Sequence, residues 1–324
     1  MAPNGIPRST ILVTGGTGLV GRALQKVVND NINNHQNEQW IFLSSQHGDL
    51  RNENDVRTIF AEHKPTHVIH LAAYVGGLYK NMSYPVQFWH NNVSMDDNIT
   101  KLCYEYNVKK LISCLSTCIF PDDTTYPIDE SMIHNGPPHS SNSAYAYAKR
   151  MIDVTNKAYA QQYGCNYTSV IPTNIYGPHD NFNLDESHVI PGLIHKLYLA
   201  KQNNMSDFVV YGTGAPLRQF IYSEDLARLF IWALYNYNSP EPIILSVDES
   251  DEVSIRDVVN SIVKASGFTG NIIYDTSKSD GQYKKTASNR KLRSLYPGFQ
   301  FTPLYDGIKK SVEWFEKNYD SARK

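Results

Sequence analysis

Thr10-Ile-Leu-Val-Thr-Gly-Gly-Thr-Gly-Leu-Val-Gly21 reads as a strand, a tight turn and the start of a helix. An apolar, β-prone run ends in glycines, and the amphipathic stretch Leu19 to Val28 follows. The glycines at 15, 18 and 21 stand three apart. Gly15 permits the turn, Gly18 lets backbone N–H groups approach a pyrophosphate, and Gly21 lets the helix close on the strand. Thr17, Leu19 and Val20 fall in the same turn and belong to the same expected contact. A glycine triplet alone is weak, since ordinary strand–helix turns also carry glycines. Placed after a buried strand near the start of the chain, it points to a bound dinucleotide.

Strands alternate with helices outward from that turn. Trp40-Ile-Phe-Leu43 reads as a second strand and ends in Ser44-Ser45-Gln46. An acid here would take the ribose hydroxyls of NAD. None is present, and the hydroxyls of Ser44 and Ser45 can donate to a phosphate, so the expected cofactor is NADP. Asp49 and Leu50 are expected at the adenine. A helix over about 53–62 leads to the strand Val68–Leu71. Small residues after it, Ala72 and Ala73, leave room for the cofactor beside Leu71, and Gly76-Gly77 reads as a turn. A long helix from Pro85, a strand Lys110–Leu115, a helix Tyr145–Tyr163 and a strand Tyr167–Ile171 follow, the last leading into Pro172, Asn174 and Ile175. This order predicts an α/β fold, a Rossmann-type doubly wound parallel sheet covered on both faces. After Pro178 the rhythm loosens. We expect a Rossmann domain over 8–178, with segments of about 212–245 returning to it, and a smaller mixed α/β substrate domain over 179–324.

Composition narrows the partners. The net charge of -2 offers no electrostatic footprint for nucleic acid or an anionic membrane. No apolar run approaches the roughly 20 residues that span a bilayer, and the first residues lack the apolar core of a secretory signal. The four cysteines do not form CxxC pairs, so neither a metal site nor a disulfide framework is expected. A cytoplasmic protein is the expectation.

The chemistry gathers between Leu115 and Lys149. Ser116 stands at the end of a strand, where it can hydrogen-bond a carbonyl or alkoxide. Tyr145 and Lys149 are four apart on a helix and share a face. The ammonium is expected to lower the phenol's pKa and to reach a ribose diol. Tyr147 is a weaker candidate, because Met151 stands where its lysine would be.

This combination resembles the extended branch of the short-chain dehydrogenase/reductase superfamily. Five segments narrow it: Leu115-Ser-Thr-Cys-Ile-Phe-Pro121, Tyr145-Ala-Tyr-Ala-Lys149, Val170-Ile-Pro-Thr-Asn-Ile-Tyr-Gly-Pro-His-Asp-Asn-Phe182, Ser187-His-Val-Ile-Pro191 and Lys278-Ser-Asp-Gly281. Together they resemble the GDP-L-fucose synthase family over nearly the whole chain. The resemblance implies a bifunctional NADPH enzyme that epimerises a GDP-4-keto-6-deoxy sugar at carbons 3 and 5 and reduces it at carbon 4. It puts Cys118 and His188 at the positions of the epimerising base and acid, with His188 also near the cofactor. A thiolate is a reasonable base once its pKa is lowered, and imidazole is a natural acid. Tyr145 would supply the proton for reduction, with Ser116 polarising the carbonyl. For the GDP-sugar we expect Arg218 first, then Lys196, Val189, Tyr211 and Asp280, with Asn174 at the boundary with the cofactor. The resemblance also implies a homodimer built on the two long helices. Three other readings compete: a nucleotide-sugar 4-epimerase, a 4,6-dehydratase, and a catalytically silent NADP-binding sensor. The dehydratase would want Thr-Asp-Glu where this chain has Ser-Thr-Cys, and a 4-epimerase has no need of the Cys and His. The sensor would tolerate loss of Tyr145 or Lys149.

Overall fold

The computed structural model describes residues 9–31, 35, 37–280 and 282–324. Gly281 of the Lys278–Gly281 motif, the first eight residues, and part of the Asn-rich patch between Asn29 and Asn37 lie outside that set. In chain order the first half runs β1 (Ser9–Thr14), α1 (Leu19–Asp30), β2 (Glu38–Phe42), α2 (Glu53–His63), β3 (His67–His70), α3 (Leu78–Ser83), α4 (Pro85–Glu105), β4 (Lys110–Cys114), α5 (Ser143–Tyr163) and β5 (Tyr167–Pro172). The second runs β6 (Asn174–Tyr176), α6 (Val189–Gln202), β7 (Asp207–Tyr211), β8 (Leu217–Arg218), β9 (Phe220–Tyr222), α7 (Ser223–Asn236), β10 (Ile243–Leu245), β11 (Val253–Ser254), α8 (Ile255–Ser266), β12 (Asn271–Asp275), α9 (Arg290–Leu295) and α10 (Leu304–Lys317).

Six strands form one sheet in the order β10-β5-β4-β3-β1-β2, and every pairing in it is parallel. A parallel sheet needs cover on both faces, and β1 shows why its sequence is apolar without a break. Ile11 and Val13 face α1 and α7, where Leu24, Val27, Leu226 and Phe230 are buried. Leu12 points the other way, among Val56, Ile59, Phe60 and Leu102 of α2 and α4. The connections from β1 run outward to β2, then back across to β3. That reversal opens a crevice at the carboxyl ends of β1 and β3, where ligands of such sheets bind.

A second core lies beyond the sheet. Leu193 and Leu197 of α6, Phe208 and Val210 of β7, Val258 and Ile262 of α8, and Val312 and Phe315 of α10 are buried together. Phe182 stacks on Phe315 with ring centroids 4.3 Å apart. This anchors the loop before His188.

Some details depart from the sequence reading. α3 follows directly on Gly77, and α9 forms within a stretch that carried no periodic signal. Ser223 begins α7, and the N-cap, Tyr222, makes no side-chain cap bond. Ser254 caps α8 in a capping box with Asp257.

One buried cation ties the sheet together. Lys110, 2% exposed, donates from Nζ to Asn166 Oδ1 (2.7 Å), Thr168 Oγ1 (2.7 Å) and the Tyr237 carbonyl (2.5 Å). Those acceptors come from the α5–β5 link, β5 and the end of α7. Lys110→Met keeps the volume and leaves three acceptors unpaired. At roughly 1 kcal/mol for each, the substitution is expected to cost about 3 kcal/mol, read from the urea midpoint at unchanged m-value.

Candidate active site

The turn after β1 is a steric solution before it is a binding site. Gly15 has φ +68°, and a Cβ there would lie 2.9 Å from the Ala72 backbone nitrogen. A Cβ on Gly21 would lie 2.4 Å from the Gly15 carbonyl oxygen. Both contacts bring backbone against backbone, so neither position can yield. Gly18 is the N-cap of α1 and makes no side-chain cap bond. The N–H groups of that first turn therefore face the crevice with the helix dipole behind them, which suits a pyrophosphate. Leu71, Ala72 and Ala73 follow β3 on the opposite wall. At the end of β2, the Ser44 hydroxyl lies 3.1 Å from His47 Nδ1. Arg51, on the same loop, is committed to Asp49 and, at 2.7 Å, to Asn91 Oδ1. The guanidinium holds the Asp49 carboxyl below its ordinary range. These surroundings fit a dinucleotide.

α5 delivers two jobs from adjacent residues. Lys149, 2% exposed, enters the crevice, and its Nζ lies 3.6 Å from Asp96 Oδ1 of α4. The Arg150 guanidinium turns the other way. It donates from Nη1 to the Gly136 carbonyl at 2.8 Å and from Nε to the Ile119 carbonyl at 2.9 Å. Ile119 ends the single 3-10 turn Thr117–Ile119, so α5 holds the turn that carries Cys118. The Cys118 N–H donates to Ser116 Oγ at 3.4 Å.

The electrostatics differ from the expectation for Tyr145. Burial of its hydroxyl, with Cys118, Cys114 and Asp96 close by, pushes the phenol up, not down. The Cys118 thiol is likewise pushed up by burial, while Ser116, Lys285 and Lys149 pull it down. Lys285 is a residue that the sequence reading missed. Burial lowers its ammonium and Cys118 raises it. Its place is fixed by the neighbouring Thr286–Ala287 backbone. Ile128 N–H donates to the Thr286 carbonyl at 2.9 Å, and Ala287 N–H donates to Gln219 Oε1 at 2.7 Å. No periodicity marks that loop.

The remaining candidates divide between two places. His188, Val189, Lys196, Tyr211 and Asp280 line one cavity of about 290 Å³. Lys196 Nζ lies 3.9 Å over the Tyr211 ring, a cation–π contact. Asp280 accepts from Thr213 N–H (2.6 Å) and Thr213 Oγ1 (2.7 Å). Solvent reaches His188, yet the cleft walls and Arg323 push its imidazole down. Arg218 is elsewhere: Lys285 and Tyr126 both feel its charge, so it stands on the Cys118 side. Its Nη2 donates to the Gln282 carbonyl at 2.6 Å. Asn174 donates from Nδ2 to the Gln219 carbonyl at 2.8 Å. No hydrogen bond or ion pair joins Cys118 to His188 among the described residues.

Lys285 gives the site a pH signature. A thiol works as a base only when ionised, and Lys285 favours that form. Lys285→Met is expected to move the alkaline rise of Cys118 alkylation by iodoacetamide to higher pH. An unmoved profile would remove Lys285 from that role.

No group of three or more His, Cys, Asp or Glu suited to a metal occurs among the described residues. The model of the NAD dependent epimerase/dehydratase family matches residues 11–247. The chain is 59% identical over 317 residues to a GDP-L-fucose synthase of Dictyostelium discoideum, covering 98% of each chain. It is 56% identical to a probable GDP-L-fucose synthase of Drosophila melanogaster, covering 97% of this chain and 99% of that one. Among solved structures, a GDP-L-fucose synthetase from Naegleria fowleri bound to NADP superposes with a TM-score of 0.93 at 54% identity, covering 98% of this chain and 96% of that one.

Proposed function

The chain belongs to the GDP-L-fucose synthase family, within the NAD dependent epimerase/dehydratase family, and from that premise we propose how its residues divide the work. It is an NADP-dependent epimerase and reductase that converts GDP-4-keto-6-deoxy-D-mannose to GDP-L-fucose. NADPH, when bound, supplies the hydride for carbon 4. Gly15, Thr17, Gly18, Leu19, Val20 and Gly21 hold its pyrophosphate, and Ser44 and Ser45 take the 2′-phosphate. Asp49 and Leu50 border the adenine. Leu71, Ala72, Ala73, Pro172, Asn174 and Ile175 wall the nicotinamide side, with Lys149 on the ribose.

Epimerisation comes first in chemical logic. The 4-keto group acidifies the protons at carbons 3 and 5. Cys118 removes one as thiolate, leaving an enolate, and His188 returns a proton to the opposite face. Reduction then needs a proton at the carbon 4 oxygen, which Tyr145 donates while Ser116 hydrogen-bonds the same oxygen. Arg218, Lys196, Tyr211, Val189 and Asp280 hold the GDP-sugar. The observation that carries this reading is the single neighbourhood containing Cys118, Tyr145 and Lys149. A plain reductase has no use for a thiol there. The test is incubation with GDP-4-keto-6-deoxy-mannose and NADPH, with the product identified by NMR. GDP-L-fucose with equal NADPH consumption is expected, and absence of NADPH consumption would overturn the assignment.

The two cores suggest two parts: the six-stranded sheet for the cofactor, and the body around α6, α8 and α10 for the sugar nucleotide. The cytoplasm suits four unpaired thiols, and no helix among the described residues is long and apolar enough to cross a membrane. A homodimer is supported by α4 and α5, which pack on each other and leave Trp89, Tyr104, Tyr147, Met151 and Val154 exposed. Tyr147, Met151 and Val154 share one face of α5 at helical spacing. Val154→Glu is expected to convert a dimer into a monomer by light scattering. A wild-type monomer would end the proposal.

A further inference from the structure

Three buried side chains join the dinucleotide turn to Lys149, and none of them has a part in the chemistry above. Thr14 is the last residue of β1 and His70 the last of β3, while Asp96 lies in the middle of α4. Thr14 Oγ1 accepts from the N–H groups of Leu71 and Ala72, each at 3.1 Å, and lies 2.7 Å from His70 Nδ1. His70 Nε2 lies 2.8 Å from Asp96 Oδ1. The same oxygen faces Lys149 Nζ at 3.6 Å. None of the four residues is more than 7% exposed.

Counting protons leaves one assignment. A hydroxyl has one proton and two lone pairs. The Leu71 and Ala72 N–H groups take both lone pairs of Thr14, so its proton goes to His70 Nδ1. The ring then carries its hydrogen on Nε2 and donates it to Asp96. Among the described residues Asp96 Oδ1 takes no other hydrogen bond, and it turns toward the lysine. Lys149 itself has no hydrogen-bond acceptor among the described residues, so this one carboxylate is the counter-charge that its buried ammonium faces.

We propose that Thr14, His70 and Asp96 are positioning residues for Lys149, fixing where its ammonium stands and linking that place to the turn at Gly15. The inference rests on the reading of Lys149 and Tyr145 as the reduction pair. Asp96 holds the charge, His70 fixes the rotation of the carboxylate, and Thr14 fixes the ring. Thr14 also bonds the two backbone amides that follow β3, so both walls of the crevice share one hydrogen-bonded chain. A shift of either wall is then felt at Lys149. The epimerising pair, Cys118 and His188, makes no hydrogen bond to this chain, and Cys118 feels it only through the Lys149 charge, with Ser116 and Lys285 also acting on the thiol, so exchange serves as the less sensitive readout.

The test uses two variants of one residue. His70→Asn brings an amide to the place of Nδ1, so it meets Thr14 and loses Asp96. His70→Gln reaches the place of Nε2, so it keeps the donation to Asp96. We measure kcat for NADPH oxidation and, separately, exchange of substrate ring protons with deuterated solvent. His70→Asn is expected to lower the reduction kcat about tenfold and to leave exchange within about twofold of wild type. His70→Gln is expected to recover most of the lost rate although its melting temperature falls as well. Equal reduction rates in the two variants, or parallel loss of reduction and exchange, would overturn the relay and leave a structural role. If His70→Asn does not fold, Asp96→Asn decides by the same ratio, since it keeps the shape and removes the charge. A wild-type protein that oxidises no NADPH would indict the proposed function, whereas an active wild type with an unchanged ratio indicts the relay alone.

Discussion

Cys118→Ala is expected to abolish exchange of the sugar's ring protons with deuterated solvent, by a factor of about 10³ or more, while NADPH binding stays intact. A positioned base accounts for about 10²–10⁴ in rate, and no other thiol can take over. Cys114 is half-buried, its thiol is held up at about 11 by desolvation, and its Sγ lies against the Leu115 carbonyl, 3.5 Å away. Exchange also carries a pH argument. The base works ionised, and burial has raised its pKa; the acid works protonated, and the cleft walls have lowered its pKa. The working pair, thiolate with imidazolium, is therefore a minor form at every pH. Between the two values its population is constant, because each gain in thiolate is matched by a loss of imidazolium. Exchange should thus be flat across neutral and mildly alkaline pH, falling only below the lowered imidazole value and above the raised thiol value. Unchanged exchange in Cys118→Ala would remove the thiol from the role of base, and a sharp optimum near pH 7 would contradict these directions.

Tyr145→Phe is expected to slow NADPH oxidation by about 10²–10⁴ and to leave exchange nearly intact. The phenyl ring keeps its edge contact with Phe88, whose centroid lies 6.1 Å away, so the change is one hydroxyl. The direction of the phenol's shift suits a donor. An acid must hold its proton until charge develops on the carbon 4 oxygen, and burial keeps the proton in place. Reduction in the wild type should therefore show no alkaline fall below about pH 9. Equal loss of exchange and reduction would mean that the two steps share a proton carrier.

The glycine turn was legible in the sequence because its cause is local. Gly15 and Gly21 answer clashes with residues at most six positions away in the turn, together with Ala72 at the next strand but one. The Tyr145–Lys149 pair was legible for the same reason, as two positions on one helix. The charge that balances Lys149 was not. Asp96 reaches it only because α4 packs on α5, and His70 meets Asp96 from a strand 26 residues earlier. The surroundings of Arg218 were not legible, because the strand pair β8–β11 turns its guanidinium toward Lys285 and Tyr126, far along the chain. Lys285 stayed hidden because its loop is placed by backbone bonds to Ile128 and by Gln219, none of which leaves a pattern in sequence.

The order of the sheet bears on how the chain can be cut. β10 pairs with β5, yet between them the chain leaves the sheet, builds much of the cavity lined by His188, Lys196 and Tyr211, and returns through α7. A fragment ending near residue 178 would lose β10 and α7 together. β5, buried along its whole length, would become a bare apolar edge, the kind of strand that templates aggregation. Completion of the sheet is also a late, long-range event in folding. The sheet thus cannot be completed before α6, β7 and α7 have been made, and a nascent chain stalled between β5 and β10 is the species that exposes this edge.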